Sequence, residues 1–304
     1  MKLQILKMLF RVDAIKKRII YLVIHLGSNA ERKIKRKIKK ILLPSSDIDY
    51  STLSVADIKK LMDERFSKKE AYNLVYLWDK VRADEINTIT VELISPTKDK
   101  RILEIGCGIG GSAPLISECK EFVGTDLSEI AVSQANQEFA NKPNFRFVPM
   151  DAMDLKFDDK QFDIVLAREV IEHLPEPHRA IKEAFRVLKP NGLFLVTSPN
   201  RDSLHLRVNR MLGYADFTCS FDHIKEYTFR EAEEMLRKEG FTIKDTRGIF
   251  LLPYWGIPDI DLHVRHLTDS DPEMIELLRE LGERVGAEYA FGFVMLCVKP
   301  GTKN

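Results

Sequence analysis

From Arg101 onward the chain alternates short apolar runs with amphipathic ones, a pattern that leaves few folds open. The runs RILEI, EFVGTD, FRFVP, FDIVLA and LFLVTS read as strands of four to eight residues. Between them SEIAVSQANQEFA and HRAIKEAFRVL read as helices, the second closed by the turn KPNG. TFREAEEMLRKEG predicts a further helix with Gly240 as its C-cap, and FTIKDTRGIFLL and YAFGFVMLCV complete the strands. Strands that alternate with helices predict an α/β protein with a parallel, doubly wound sheet and right-handed crossovers. The first strand ends in a loop with four of the chain's fifteen glycines, Gly106, Gly108, Gly110 and Gly111. A helix is expected after the loop, with Pro114 in its first turn.

In such sheets the ligand lies outside the carboxyl ends of the strands. Gly106, Gly108 and Gly111 satisfy G-x-G-x-x-G, which suits a dinucleotide and equally any adenosine cofactor that needs backbone close by. Asp126 ends the second strand, where a carboxylate accepts hydrogen bonds from both ribose hydroxyls. NAD-binding proteins use the same device, so Asp126 leaves the cofactor open. Glu104 separates the two. It stands two residues before Gly106, where a pyrophosphate would meet repulsion and a sulfonium or ammonium attraction. At the end of the third strand Asp151 is placed to accept from an adenine amino group, and the N–H of Ala152 to donate to a ring nitrogen.

Taken in order, LEIGCGIGG, GTD, MDAMDLKFDDKQFDIV and REVIEHLPEPHRAIKEAFRVLKPNGLFLVTSPN resemble the class I S-adenosylmethionine-dependent methyltransferases over about residues 95–300. The resemblance implies a Rossmann-like sheet of seven strands with an antiparallel last strand. It implies S-adenosyl-L-methionine as cofactor and a transferase of the EC 2.1.1 class. Carried onto this chain, the cofactor-binding set is Glu104, Gly106, Cys107, Gly108, Gly110, Asp126, Leu127, Asp151, Ala152 and Arg168. An NAD-binding oxidoreductase is the less favoured reading of the same glycines.

Methyl transfer needs alignment of nucleophile and methyl group, and a base only where the acceptor must lose a proton. REVIEHL, residues 168–174, offers Glu169, Glu172 and His173. This Glu-x-x-Glu-His spacing resembles the ubiquinone-biosynthesis O-methyltransferases, which implies a divalent metal and a phenolic acceptor. Two carboxylates and one imidazole make a thin Mg²⁺ cage, so no metal ligand is assigned. The catalytic candidates are His173, Glu172 and His223. His223 follows Asp222 in a long connection, about residues 200–226, expected to form a lid over the acceptor. Arg201, His205, Arg207 and Arg210 make that lid basic, either to grip an anionic acceptor or as a solvated face.

Charge is unevenly placed. Residues 1–43 hold 13 Lys or Arg against Asp13 and Glu31, a net +11, while the remainder holds 34 basic against 44 acidic residues, a net −10. In ERKIKRKIKKIL, residues 31–42, isoleucines recur at helical spacing among lysines and arginines, the pattern of a helix lying in a membrane interface. An anionic membrane surface is therefore the expected partner, and a homo-oligomer contact the alternative. Nucleic acid fits poorly, because the arm offers only Phe10 and Tyr21 for stacking. The organisation expected is a basic N-terminal arm (1–45), a helical cap (46–98) and a cofactor-binding domain (99–304). In the cap Tyr72, Tyr76 and Trp78 line either a substrate mouth or the core. Four scattered cysteines and the lack of an 18-residue apolar run predict a cytoplasmic protein with reduced thiols, in peripheral membrane contact through the arm. The function expected is O-methylation of a lipid-linked or membrane-proximal acceptor. The alternative is a soluble small-molecule or protein N/O-methyltransferase with an oligomerising arm.

Overall fold

The structure is a computed structural model that describes residues 53–67, 77–116, 118–214, 218–220, 222–252 and 271–301. The basic arm, Tyr72, Tyr76 and the side chain of Trp78 lie outside the described residues. Two helices, α1 (Val55–Ser67) and α2 (Leu77–Ile94), precede the sheet. Then follow β1 (Arg101–Ile105), β2 (Glu121–Asp126), α3 (Glu129–Glu138), β3 (Phe145–Pro149), β4 (Phe162–Arg168), α4 (Pro177–Val187) and β5 (Leu188–Pro199). The chain continues through α5 (Leu204–Met211), α6 (Phe229–Lys238), β6 (Thr242–Ile249), α7 (Pro272–Val285) and β7 (Gly292–Val298).

The seven strands pair in the order β3-β2-β1-β4-β5-β7-β6. β7 runs antiparallel to both β5 and β6, and the other pairings are parallel, which is the sheet the sequence implies. Strand order reverses between β1 and β4, so the crevice for a ligand opens at their carboxyl ends. Central strands are apolar on both faces because both faces are covered. Leu103, Ile105, Val165 and Val196 pack with Ile181 and Ala184 of α4 and Leu236 of α6. On the other face Ile102, Phe122, Leu166 and Leu195 pack with Ile86 and Ile94 of α2, Val132 of α3 and Leu278 of α7. Each fully buried Leu, Ile or Phe contributes about 1.5–3 kcal/mol.

Local signals set the ends of the helices. Ser128 caps α3 by accepting from the N–H of Ala131. Thr228 and Glu231 close a reciprocal capping box on α6, and Gly240 follows that helix at φ +98°.

Three local expectations change. The segment after the glycine loop is a single 3-10 turn, Ala113–Leu115, rather than an α-helix. Pro114 supplies no N–H, β2 already starts at Glu121, and α2 fills the adjacent face of the sheet. The KPNG turn is absorbed into β5 as an irregularity: Leu188 pairs with Phe162, the register shifts, and Leu193 pairs with Ile164. Finally, the sequence predicts no helix between FTIKDTRGIFLL and YAFGFVMLCV, yet α7 stands between β6 and β7, which pair antiparallel. Among the described residues no helix is long and apolar enough to cross a membrane.

Candidate active site

The glycine loop leaves β1 with Gly106, Gly108 and Gly110 all at positive φ, which L side chains rarely adopt. At Gly106 a Cβ would also lie 2.5 Å from Val170 Cγ2. Cys107 between them is buried and donates its N–H to the Thr125 carbonyl at 2.9 Å, tying the loop to β2. Asp126 completes the cradle. One carboxylate oxygen accepts from Gly108 N at 2.8 Å and the other from Ser128 N at 2.9 Å. Its carboxyl is pushed up by burial, with the two backbone N–H groups opposing. Leu127 is half-buried beside it. Asp151, past the end of β3, accepts from Met153 N at 2.8 Å, and Ala152 next to it is half-buried. Asp126 and Asp151 thus end neighbouring strands, and the carbonyl of Asp126 accepts from Met150 N at 2.8 Å.

Glu104 is 3% exposed. It accepts a hydrogen bond from the Ser112 hydroxyl, which in turn accepts from Arg168 Nη1 at 2.6 Å. Arg168 also donates to Asn87 of α2 at 2.6 Å. Burial pushes the Glu104 carboxyl up to about 7, against the pull of Arg168 and Ser112. Its Oε2 and the Nε of Arg168 are buried with no hydrogen-bond partner in the protein. A buried acceptor left open at the strand end suits a ligand that brings a donor and positive charge. The residues therefore fit S-adenosylmethionine: an ammonium and sulfonium for Glu104, a ribose for Asp126, and a loop with backbone in place of side chains.

A second constellation forms past β4. Glu169, at φ +54°, receives Arg82 Nη1 at 2.9 Å and the Thr197 hydroxyl at 2.9 Å. Glu172 and His173 form a 3-10 turn, Ile171–His173. Glu172 is fully buried; Ser198 Oγ donates to its Oε2 at 3.1 Å, and Oε1 has no partner. Burial, with Glu169 adding, holds its carboxyl well above the usual range. The structure brings His223 of the lid against His173 with the rings edge-to-face, centroids 4.8 Å apart. Burial lowers His173, Asp222 opposes and His223 adds to the lowering. His223 Nδ1 lies 2.7 Å from Glu226 Oε1 and 3.6 Å from Cys219 Sγ. Asp222 is 2% exposed and is paired with Arg65 of α1 and the Ser220 hydroxyl.

The metal spacing implied by Glu-x-x-Glu-His is rearranged. Glu169 is engaged by Arg82 and Thr197, whereas Glu172, His173 and His223 bring ligand atoms within 4.8 Å of one another, as do Cys219, His223 and Glu226. In the second group hydrogen bonds already satisfy Glu226, from His223 and from Cys219 N at 2.5 Å.

The basic lid is not a free anion grip. Arg201 pairs with Glu231, and Arg207 and Arg210 both pair with Asp202. His205 is buried, stacked on Phe291, and pushed down to about 4 by its burial. Sequence reasoning missed Arg65, Asn87, Ser112 and Glu226. Only Glu226 carried a signal, its three-residue spacing from His223. Arg65 and Asn87 reach the site from helices that precede the sheet, where nothing local marks them.

The seven-stranded α/β sheet thus carries a glycine loop and Asp126 at its reversal point, and a buried carboxylate at the end of β1. The chain belongs to the methyltransferase-domain family, which it matches over residues 55–246, and it has the class I fold. It is 33% identical over 150 residues to a Mycolicibacterium smegmatis protein named as an S-adenosylmethionine-dependent methyltransferase, covering 49% of this chain and 54% of that one. It is 31% identical to a ubiquinone biosynthesis O-methyltransferase of Ruegeria pomeroyi, covering 58% of this chain and 74% of that one. The chain spans about half or less of the length of the first curated relatives it matches. Its fold is similar to that of a methyltransferase from Thermotoga maritima, with a TM-score of 0.54 and 21% identity over 80% of this chain and 99% of that one.

Proposed function

We propose that the enzyme O-methylates a hydroxyl on a lipid-linked or membrane-proximal acceptor. The observation that carries the O-methyl reading is the pair of imidazoles past the carboxyl end of β4, His173 and His223, beside the buried carboxyl of Glu172. A hydroxyl must lose its proton to attack, and an imidazole that is neutral near pH 7 is suited to take it. His173 is kept in that neutral form by burial. The ubiquinone-biosynthesis relative supports a phenolic acceptor.

In this reading S-adenosylmethionine, when bound, supplies an electrophilic methyl group. Glu104 receives positive charge, Asp126 the ribose, and Asp151 with Ala152 the adenine. Gly106, Cys107, Gly108 and Gly110 bring backbone close, while Leu127 and Arg168 border the cradle. The lid, about residues 200–226, excludes water from the acceptor side. Residues 1–45 act as a basic arm that holds the enzyme at an anionic leaflet, ahead of a cap (46–98) and the catalytic domain (99–304).

The test is direct. Full-length protein is incubated with methyl-labelled S-adenosylmethionine and anionic vesicles carrying total cellular lipid extract, then lipid, aqueous and protein fractions are counted. Label in an alkali-stable lipid methyl ether supports the reading, and label in an alkali-labile methyl ester refutes the hydroxyl as acceptor. Label confined to water-soluble metabolites or to protein refutes it and favours the soluble alternative.

A further inference from the structure

Two candidate bases stand 4.8 Å apart, and their partners are unlike. His173 Nδ1 lies 3.2 Å from the backbone carbonyl of Asp222, and the Asp222 carboxylate, 3.8 Å away, is already paired with Arg65. His223 Nδ1 instead lies 2.7 Å from the Glu226 carboxylate, and both side chains are buried, 7% and 2% exposed. Burial alone would push the Glu226 carboxyl up, but the hydrogen bonds from His223 and Cys219 outweigh it and hold Glu226 ionised. An ionised carboxylate only accepts. Nδ1 of His223 must therefore carry the hydrogen, and in the neutral ring the lone pair is left on Nε2. A buried charge-assisted bond of this kind is about twice as strong as a neutral one, so it sets the tautomer firmly.

We infer that Glu226 is a positioning residue that holds His223 in its Nδ1–H form, with Nε2 free to take the acceptor's proton. This rests on the O-methyl reading above and deepens it, because it separates the two imidazoles. His223 has a buried anion to stabilise the imidazolium formed when the proton arrives. His173 has a carbonyl, and an Asp222 whose charge Arg65 already neutralises. The step is a simple proton transfer: the acceptor O–H bond breaks, an Nε2–H bond forms, and the positive charge rests against Glu226. Glu226 itself neither gains a proton nor touches the acceptor. The hydrogen bond from Cys219 N to the same oxygen fixes the carboxylate against rotation.

The experiment needs no acceptor. Full-length protein labelled with ¹⁵N-histidine is saturated with S-adenosylhomocysteine, and long-range ¹H–¹⁵N spectra read the tautomer of each imidazole, the His223 signals being assigned by their loss in His223→Gln. The wild type is expected to show Nδ1–H and an unprotonated Nε2. Glu226→Gln, whose amide can donate or accept, is expected to lose that signature and populate both tautomers. Glu226→Asp, which restores an ionised acceptor, is expected to recover it. A wild-type His223 in the Nε2–H form, or a Glu226→Gln protein that keeps the pure Nδ1–H form, overturns the inference. Calorimetry on the same samples keeps the two claims apart. Failure to bind S-adenosylhomocysteine sinks the functional reading, while tight binding with an indifferent His223 sinks only the role of Glu226.

Discussion

Replacing Glu104 by Gln should stabilise the empty protein and weaken it as an enzyme, with both effects depending on pH. Glu104 is 3% exposed and its carboxyl is displaced from 4.5 to about 7, chiefly by burial. Between those two values the native state holds a proton that the unfolded chain has released, so stability falls as pH rises through the window. At 1.36 kcal/mol per unit the full loss is about 3 kcal/mol, complete a little above pH 7. Gln has nearly the same shape, can keep the Ser112 hydroxyl as a partner, and never ionises. At pH 5 the two proteins should melt together; at pH 8 Glu104→Gln should be more stable by about 3 kcal/mol, roughly 5 °C or more in Tm. Glu85, also pushed up by burial, to about 8, is common to both proteins and cancels in the difference. Affinity should move the other way. A cationic ligand pulls the Glu104 carboxyl down, so S-adenosylhomocysteine binding to wild type near pH 6 should release a proton, detected by calorimetry in buffers of different ionisation enthalpy. In Glu104→Gln that proton is absent and binding is weaker at pH 8. A variant less stable at pH 8, or one whose affinity is unchanged, would refute the assignment of Glu104 to the ligand's positive charge.

Gly106→Ala forces a Cβ against Val170 at φ +68° and should cost about 2–4 kcal/mol, with loss of S-adenosylhomocysteine binding, read by chemical denaturation and calorimetry. Asp222→Asn removes the counter-charge of Arg65; because Arg65 is partly exposed, the loss should be about 2 kcal/mol, below the range for fully buried pairs, and a denaturation midpoint measures it. His205, displaced from 6.5 to about 4, is neutral in the native state where the unfolded chain binds a proton, so its contribution should be lost as pH falls below 6.5; an acid titration of stability in wild type and His205→Asn reads the difference. Neutralising Arg32, Lys33, Lys35, Arg36, Lys37, Lys39 and Lys40 to Gln removes about 1 kcal/mol each at an anionic surface, so phosphatidylserine vesicle binding should fall more than about a hundredfold with cofactor affinity unchanged.

The sheet was legible because the central strands are buried on both faces and so read as mostly apolar runs: IVLA in β4 and LFLV in β5 show no alternating polar side to confuse with a surface strand. The cradle was legible for a related reason. Gly106, Gly108 and Gly110 are where backbone must turn through positive φ, and Asp126 must follow a strand to meet them. What misled was the stretch after the loop. SAPLISEC has enough apolar residues for a helix, but the room for one is taken by α2, whose Ile86 and Ile94 enter the same cluster as Ile102 and Ile116. That occupancy is set by chain far upstream, and no window around Pro114 contains it.

The acceptor side was less legible because its contacts are long-range and polar. Arg65 meets Asp222 across 157 positions of sequence and Arg82 meets Glu169 across 87. α1 makes the point most sharply. Only Ile58 and Phe66 among its residues are buried, so little apolar area holds it down. It is held by ions and hydrogen bonds on two sides: Asp63 receives Ser128 Oγ at 2.5 Å beside Asp126, and Arg65, two residues on and so on a different face of the helix, binds Asp222. A helix docked by polar contacts at both ends of the crevice opens at lower cost than the sheet beneath it. Asp63→Ala should therefore speed S-adenosylhomocysteine release in stopped-flow fluorescence far more than it lowers the midpoint of global unfolding. If release is unchanged while global stability drops, α1 is a fixed part of the core and not the cover of the cofactor edge.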